Sequence, residues 1–240
     1  MHNQVCVLSV RVDAISMADA LSTIEEYIDH QPPPRLIATA NAEMVMMAAE
    51  DAELAAALNA AALIVPDGAG VVWAARHTGH PVPERVAGYD LVQNLLARAP
   101  RKNYRIYMLG GAPGIVEMAK ATAESRFPDI NIVGTHNGFF SAVDESAIIE
   151  NIRQAKPDIL LVALGVPKQE KWLARHLNAL GVPVSIGVGG TFDVMAGTVQ
   201  RAPLWMQRTC LEWLFRLLCQ PSRIIRMMAL PRFVIKVLRG

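Results

Sequence analysis

The residues that could do chemistry gather where short apolar runs stop. Asn41 follows the run 36–38, Asp67 follows 62–65, and Gly110-Gly111 follows 105–109. Gln169-Glu170 follows 159–164, and Gly189-Gly190 follows 184–188. Four carboxylates are available as a base: Asp67, Asp90, Glu170 and Asp193. A base positioned at a reacting hydroxyl has to sit in a water-poor crevice within reach of the proton it takes. Arg85, just before Gly88, is placed to hold a phosphate, and glycine pairs beyond strands let a ligand approach the backbone. Each residue alone also has an ordinary explanation. A turn explains Asp67, a helix cap explains Thr39 or Asn41, and the helix dipole explains Glu170 and Asp90. Gln169 beside Glu170, after a Gly-x-Pro turn, points further, to binding. Asp193 reads equally as a helix acid or as a holder of a ribose or base.

The elements that must carry these residues alternate. The unbroken apolar run 159–164 suits a parallel strand buried on both faces. Gly165 and Pro167 end it, and Trp172, Leu173, Leu177 and Leu180 recur at helical spacing over 168–180. Gln169 and Glu170 therefore fall in a first helical turn at a strand's carboxyl end, where open α/β sheets bind ligands. Further strands are expected at 5–12, 36–38, 62–65, 105–109, 130–133 and 184–188. Helices are expected from Ser16 to about 29, from Asn41 to about 59, and over 71–76, 90–99, 115–126 and 145–156. This is an α/β chain with a mostly parallel sheet, in two Rossmann-like halves (1–103 and 104–203) and a helical appendage (204–240). In the appendage two helical pieces are parted by Pro221, and Pro231 interrupts the second.

The chain has 240 residues, enough for a sizeable core, and 52% of them are hydrophobic. No uncharged stretch reaches the ~18 residues of a membrane span, and no signal peptide is expected. Cys6, Cys210 and Cys219 fit reduced thiols and form no metal pattern. Net charge is +1, yet residues 204–240 hold Arg208, Arg216, Arg223, Arg226, Arg232, Lys236 and Arg239 against Glu212 alone. That is +6 on the tail and −5 on the rest. Arginines amid bulky apolar residues suit a helix lying on a membrane surface; an ordinary helix pair packed on the domain is the simpler alternative.

Several chemistries lose support. There is no Asp-x-Asp to hold a metal under a nucleotide diphosphate and no zinc spacing. Walker-type and Gly-x-Ser-x-Gly motifs are missing. The strand at 130–133 ends in Gly134-Thr135-His136, without the acid that holds a dinucleotide's ribose. A nucleotide-dependent oxidoreductase is thereby disfavoured. A non-catalytic, membrane-associated nucleotide-binding protein stays open.

The motifs taken together are more specific. They are Thr39-x-Asn41-x-Glu43, Pro66-Asp67-Gly68, Arg85-x-x-Gly88-x-Asp90, Leu109-Gly110-Gly111, Gly165-x-Pro167-x-Gln169-Glu170, Gly187-x-Gly189-Gly190-x-Phe192-Asp193 and Arg201-Ala202-Pro203. With the tail's Leu211-Glu212-Trp213 and Gln220-Pro221-Ser222-Arg223-x-x-Arg226, the set resembles the WecG/TagA/CpsF family of bacterial glycosyltransferases, nearest its N-acetylmannosaminuronic acid transferases. The resemblance implies an inverting, metal-independent transferase with no cofactor. It would move a ManNAc-, ManNAcA- or glucose-type sugar from a UDP-sugar to an undecaprenyl-diphosphate-linked sugar. By the same resemblance, Asp67 is the base, and Thr39, Asn41, Arg85 and Gln169 line the pocket with Glu170. Gly110, Gly111, Gly165, Gly189, Gly190 and Asp193 belong to the nucleotide side, and Arg216, Arg223 and Arg226 close over the leaving diphosphate. Partners would be the donor, the polyprenyl-diphosphate-linked acceptor and the inner face of the cytoplasmic membrane, with no nucleic acid. Homo-oligomerisation stays open.

Overall fold

The computed structural model describes residues 3–30, 33–209, 211–220 and 227–239. The chain opens with a hairpin, β1 (Gln4–Val7) and β2 (Val10–Asp13), paired from Gln4 opposite Asp13 to Val7 opposite Val10. One strand was expected over 5–12. The valines at 5, 7, 10 and 12 do all face the core, but the chain reverses at Leu8-Ser9, with Leu8 at φ +56°. Ser9 is the single usual turn former there, without Gly, Pro, Asn or Asp beside it, so the turn is weakly marked. Asp13 is buried, and its Oδ2 accepts the Ile64 N–H at 2.7 Å. This covers part of the edge of the main sheet.

That sheet is parallel throughout. It holds β3 (Arg35–Ala40), β4 (Leu63–Pro66), β5 (Arg105–Gly110), β6 (Asn131–His136), β7 (Ile159–Ala163) and β8 (Val184–Gly187) in the order β4-β3-β8-β7-β5-β6. Strands from either side of residue 103 share it, because β3 pairs with β8. Parallel strands need helical crossovers on both faces. One face carries α1 (Met17–Asp29), α5 (Gly88–Lys102), α6 (Ile115–Arg126) and α9 (Thr191–Met195). The other carries the hairpin, α2 (Ala42–Ala48), α3 (Ala52–Ala60), α4 (Ala69–His77), α7 (Glu145–Ala155) and α8 (Lys168–Leu180). Successive strand residues alternate between the two cores: Leu36, Ala38 and Ala40 face one, Ile37 the other.

Local chemistry sets the helix starts. Ser16 caps α1 through the Asp19 N–H, and Asn41 caps α2 through the Met44 N–H at 2.9 Å. The single helix expected to 59 is two. Asp51 accepts the Leu54 N–H and starts α3 anew.

The tail contributes α10 (Leu204–Arg208), α11 (Glu212–Cys219) and α12 (Ala229–Arg239). Pro231 does not interrupt α12. It occupies the first turn, where a missing N–H leaves no carbonyl unpaired. Phe233 and Val237 are buried against the helices on the α2–α4 face, and the Phe233 ring approaches the backbone of Gly70. The last helix is thus part of the core.

Candidate active site

The carboxyl ends of β3, β4 and β8 open into a cleft roofed by α11. Two adjoining cavities, of about 160 and 110 Å³, share Asn41, Asp67, Arg85, Glu212 and Arg216. One extends along Ala42 and Gly70 to Trp213, Met227 and Leu230, and is the more apolar. The other extends past Thr39 and Gly88 to Gln169, Gly189, Gly190 and Arg201.

Asp67 stands where the cavities meet. The turn that holds it is fixed to β3, since the Asp67 and Gly68 N–H groups both donate to Ala40 O at 3.0 Å. Gly68 is needed there, because a Cβ would lie 2.9 Å from the Asn41 Cα. The Asp67 Oδ1 accepts the Gly88 N–H at 3.0 Å. Desolvation pushes the Asp67 carboxyl above its ordinary range. The Gly88 bond and the nearby Arg85 and Arg216 charges oppose that push, and Glu212 adds to it. Arg85 reaches the cleft from a loop tied down by the Val86 N–H to Pro66 O bond of 2.9 Å.

A chain of ion pairs crosses the cleft wall. Arg85 pairs closely with Glu212 of α11, whose other oxygen lies 3.5 Å from Arg201 Nε. Arg201 forks onto Asp90 at 2.6 and 2.7 Å and stacks 4.7 Å over Tyr89. Sequence reasoning assigned no role to Glu212 or Arg201, and it took Asp90 for a helix acid or a base. One signal for Glu212 was legible: it is the only acid in a tail of seven cations.

Gln169 and Glu170 are both 1% exposed. Gln169 Oε1 accepts the Gly165 and Gly189 N–H groups at 3.2 and 3.0 Å, joining two strand-end loops. Its Nε2 donates to Glu170 Oε1 at 2.7 Å. The pair lies against Gly187, where a Cβ would sit 2.7 Å from that Nε2. Burial pushes the Glu170 carboxyl up to about 7, against the bond from Gln169, and its Oε2 finds no partner among the described residues.

The family model for the "Glycosyl transferase WecG/TagA/CpsF family" matches residues 5–240. The chain belongs to this family. It is a glycosyltransferase. It is 37% identical over 215 residues to the N-acetylglucosaminyldiphosphoundecaprenol N-acetyl-beta-D-mannosaminyltransferase of Bacillus subtilis (strain 168), covering 90% of this chain and 83% of that protein. A protein of the same name from Staphylococcus aureus (strain NCTC 8325 / PS 47) is 32% identical over 238 residues, covering 99% and 93%.

In this family member the cleft gathers Thr39, Asn41, Asp67, Arg85, Gln169, Gly189, Gly190 and Arg216. Glu170 and Gly165 lie behind the wall, bound to Gln169. Gly110 and Gly111 line neither cavity. They pack beneath Gly138, whose N–H donates to Gly111 O at 2.8 Å. Asp193 also lies outside both cavities, and its carbonyl accepts the Thr198 and Val199 N–H groups that close the loop after α9. Arg223 and Arg226 lie outside the described residues. Among the described residues, no three His, Cys, Asp or Glu side chains gather to hold a metal.

Proposed function

We propose that the cleft transfers N-acetylmannosamine, with inversion, from a UDP-linked donor to the terminal sugar of GlcNAc-diphosphoundecaprenol. The names of the relatives support this donor sugar and acceptor. The observation that carries the reaction is the place of Asp67: a carboxylate with raised proton affinity, at the junction of two cavities, with Arg85 and Arg216 beside it. Asp67 takes the proton of the acceptor hydroxyl. The freed oxygen bonds to the anomeric carbon, the bond from that carbon to the diphosphate breaks, and UDP leaves with the electron pair. Fixed guanidiniums meet the charge that develops on it. The more apolar cavity, bordered by Trp213, Met227 and Leu230, suits the lipid-linked acceptor; the one along Gly189 and Gly190 suits the donor.

No helix among the described residues is long and apolar enough to cross a membrane. The tail instead exposes Leu204, Trp205, Leu218, Ile235 and Leu238 beside Arg208, Arg232, Lys236 and Arg239. That mixture supports peripheral attachment to the inner, anionic face of the cytoplasmic membrane. The test is UDP release from a panel of UDP-sugars with a polyprenyl-diphosphate-GlcNAc acceptor, with and without chelator. UDP-N-acetylmannosamine should be turned over equally in both. Turnover of another UDP-sugar alone would overturn the donor assignment, and loss of activity with chelator would overturn the metal-free mechanism.

A further inference from the structure

Among the described residues, six charged side chains line the two cavities: the carboxylates of Glu43, Asp67 and Glu212, and the guanidiniums of Arg85, Arg201 and Arg216. The cleft thus carries both signs of charge. A diphosphate entering it brings about two negative charges and needs cations that are not already matched. Among the described residues, Glu212 pairs with two of the cleft arginines. Its side chain is 14% exposed, one oxygen sits on Arg85 and the other lies 3.5 Å from Arg201.

The two arginines are held differently. Arg201 keeps a bidentate partner in Asp90 and a ring in Tyr89, so it stays in the wall whatever Glu212 does. Arg85 comes from a loop, and its tie to Glu212 spans 127 residues. Its guanidinium borders both cavities, beside Asp67.

We propose that Glu212 is a built-in stand-in for the diphosphate: it holds Arg85 in the empty cleft, yields it to the incoming anion, and reclaims it to expel the product. This deepens the transferase reading and rests on a diphosphate binding here. On exchange the carboxylate rests on Arg201, a movement of one side chain that leaves α11 docked. No covalent step is involved. The device makes Glu212 a positioning residue with a defined sign: it weakens anion binding and speeds release. A merely structural role has the opposite sign, since losing it would loosen α11, withdraw Arg216 and weaken anion binding.

The experiment titrates inorganic pyrophosphate, and separately UDP, into the full-length wild type, Glu212→Gln and Glu212→Asp by calorimetry. Glu212→Gln can still accept from Arg85 but without charge, while Glu212→Asp withdraws the carboxylate by one methylene and keeps α11 held if the glutamine variant does not fold. Pyrophosphate should bind either folded variant roughly 3–10-fold tighter than wild type, the scale of one partly exposed charge pair. In turnover, KM for the donor and kcat should fall together, with stronger inhibition by UDP. Pyrophosphate binding that is unchanged or weaker in the folded variants overturns the proposal. The transferase reading fails separately: UDP binding wild type no better than pyrophosphate would remove the uridine donor yet leave the exchange of Glu212 standing.

Discussion

Replacing Asp67 by Asn should remove the proposed base and little else. Only Oδ1 of Asp67 makes a hydrogen bond among the described residues, accepting from Gly88 N at 3.0 Å. An asparagine Oδ1 can keep that bond, so the turn and the Gly68–Asn41 contact should survive. What goes is a carboxylate whose proton affinity burial has raised above the ordinary 3.8, which makes it the stronger base near neutral pH. A positioned base contributes about 10²–10⁴-fold, or about 3–5 kcal/mol of barrier. UDP release by Asp67→Asn should fall by that factor, with UDP affinity and Tm nearly unchanged. The wild-type profile of kcat/KM against pH should have an acid limb above 3.8, because the base must be deprotonated. The variant should lack that limb. Full turnover by a folded Asp67→Asn would refute the assignment. The next candidate would then be Glu43, which borders the more apolar cavity, and neither Glu170 behind the wall nor Asp193 outside it.

Glu170 gives a stability prediction. Its folded pKa is raised from 4.5 to about 7, so the folded chain binds the proton more tightly than the unfolded one. Stability is therefore greatest below the unfolded value and declines as pH rises through the folded one, by up to about 3 kcal/mol. Urea melts at pH 5 and pH 8 should show this loss in wild type and a smaller one in Glu170→Gln; equal losses would mean that Glu170 does not titrate in the fold. Phe233→Ala removes a fully buried ring from the core beneath α12 and should cost about 3–5 kcal/mol. A lowered Tm of the whole chain is expected, and an unchanged Tm with only the tail released would show that α12 is an accessory to the fold.

The sequence made some elements plain because their signals are local. The apolar run of β7 and the 3.6-residue spacing of α8, stopped by Pro167 and Gly181, need no partner to be read. Asn41 as a cap and Asp67 on its turn follow the same logic. The break at Asp51 was hidden because alanine-rich sequence continues on both sides of it. The hairpin turn was weakly marked because Leu8-Ser9 carries no Gly, Pro, Asn or Asp, only a serine. Gln169 is a candidate from its sequence context alone, but its bonds to Gly165 and Gly189 depend on β7 and β8 lying side by side. The ion pair of Glu212 with Arg85 joins positions 127 residues apart, and that of Arg201 with Asp90 positions 111 apart, and no spacing rule reaches that far.

Charge and hydropathy alone describe only part of what the tail does. Its basic, apolar composition reads as an appendage resting on a surface, yet it is fixed to the domain at two places of different chemistry. Glu212 ties α11 to the cleft through two arginines, and Phe233 ties α12 to the core through a fully buried ring. The first tie is electrostatic and can be exchanged for another anion. The second depends on packing and cannot be released without opening a cavity. Trp213 borders the more apolar cavity while Leu218, later on the same helix, is exposed. A surface that takes up the exposed residues of α11 would therefore hold the roof of the cleft as well. Deleting residues 204–240 would remove the anchor, the roof and part of the core together, so it cannot separate membrane attachment from catalysis. Substitutions confined to Glu212 or to Phe233 separate the two ties from each other, because each touches only one of them.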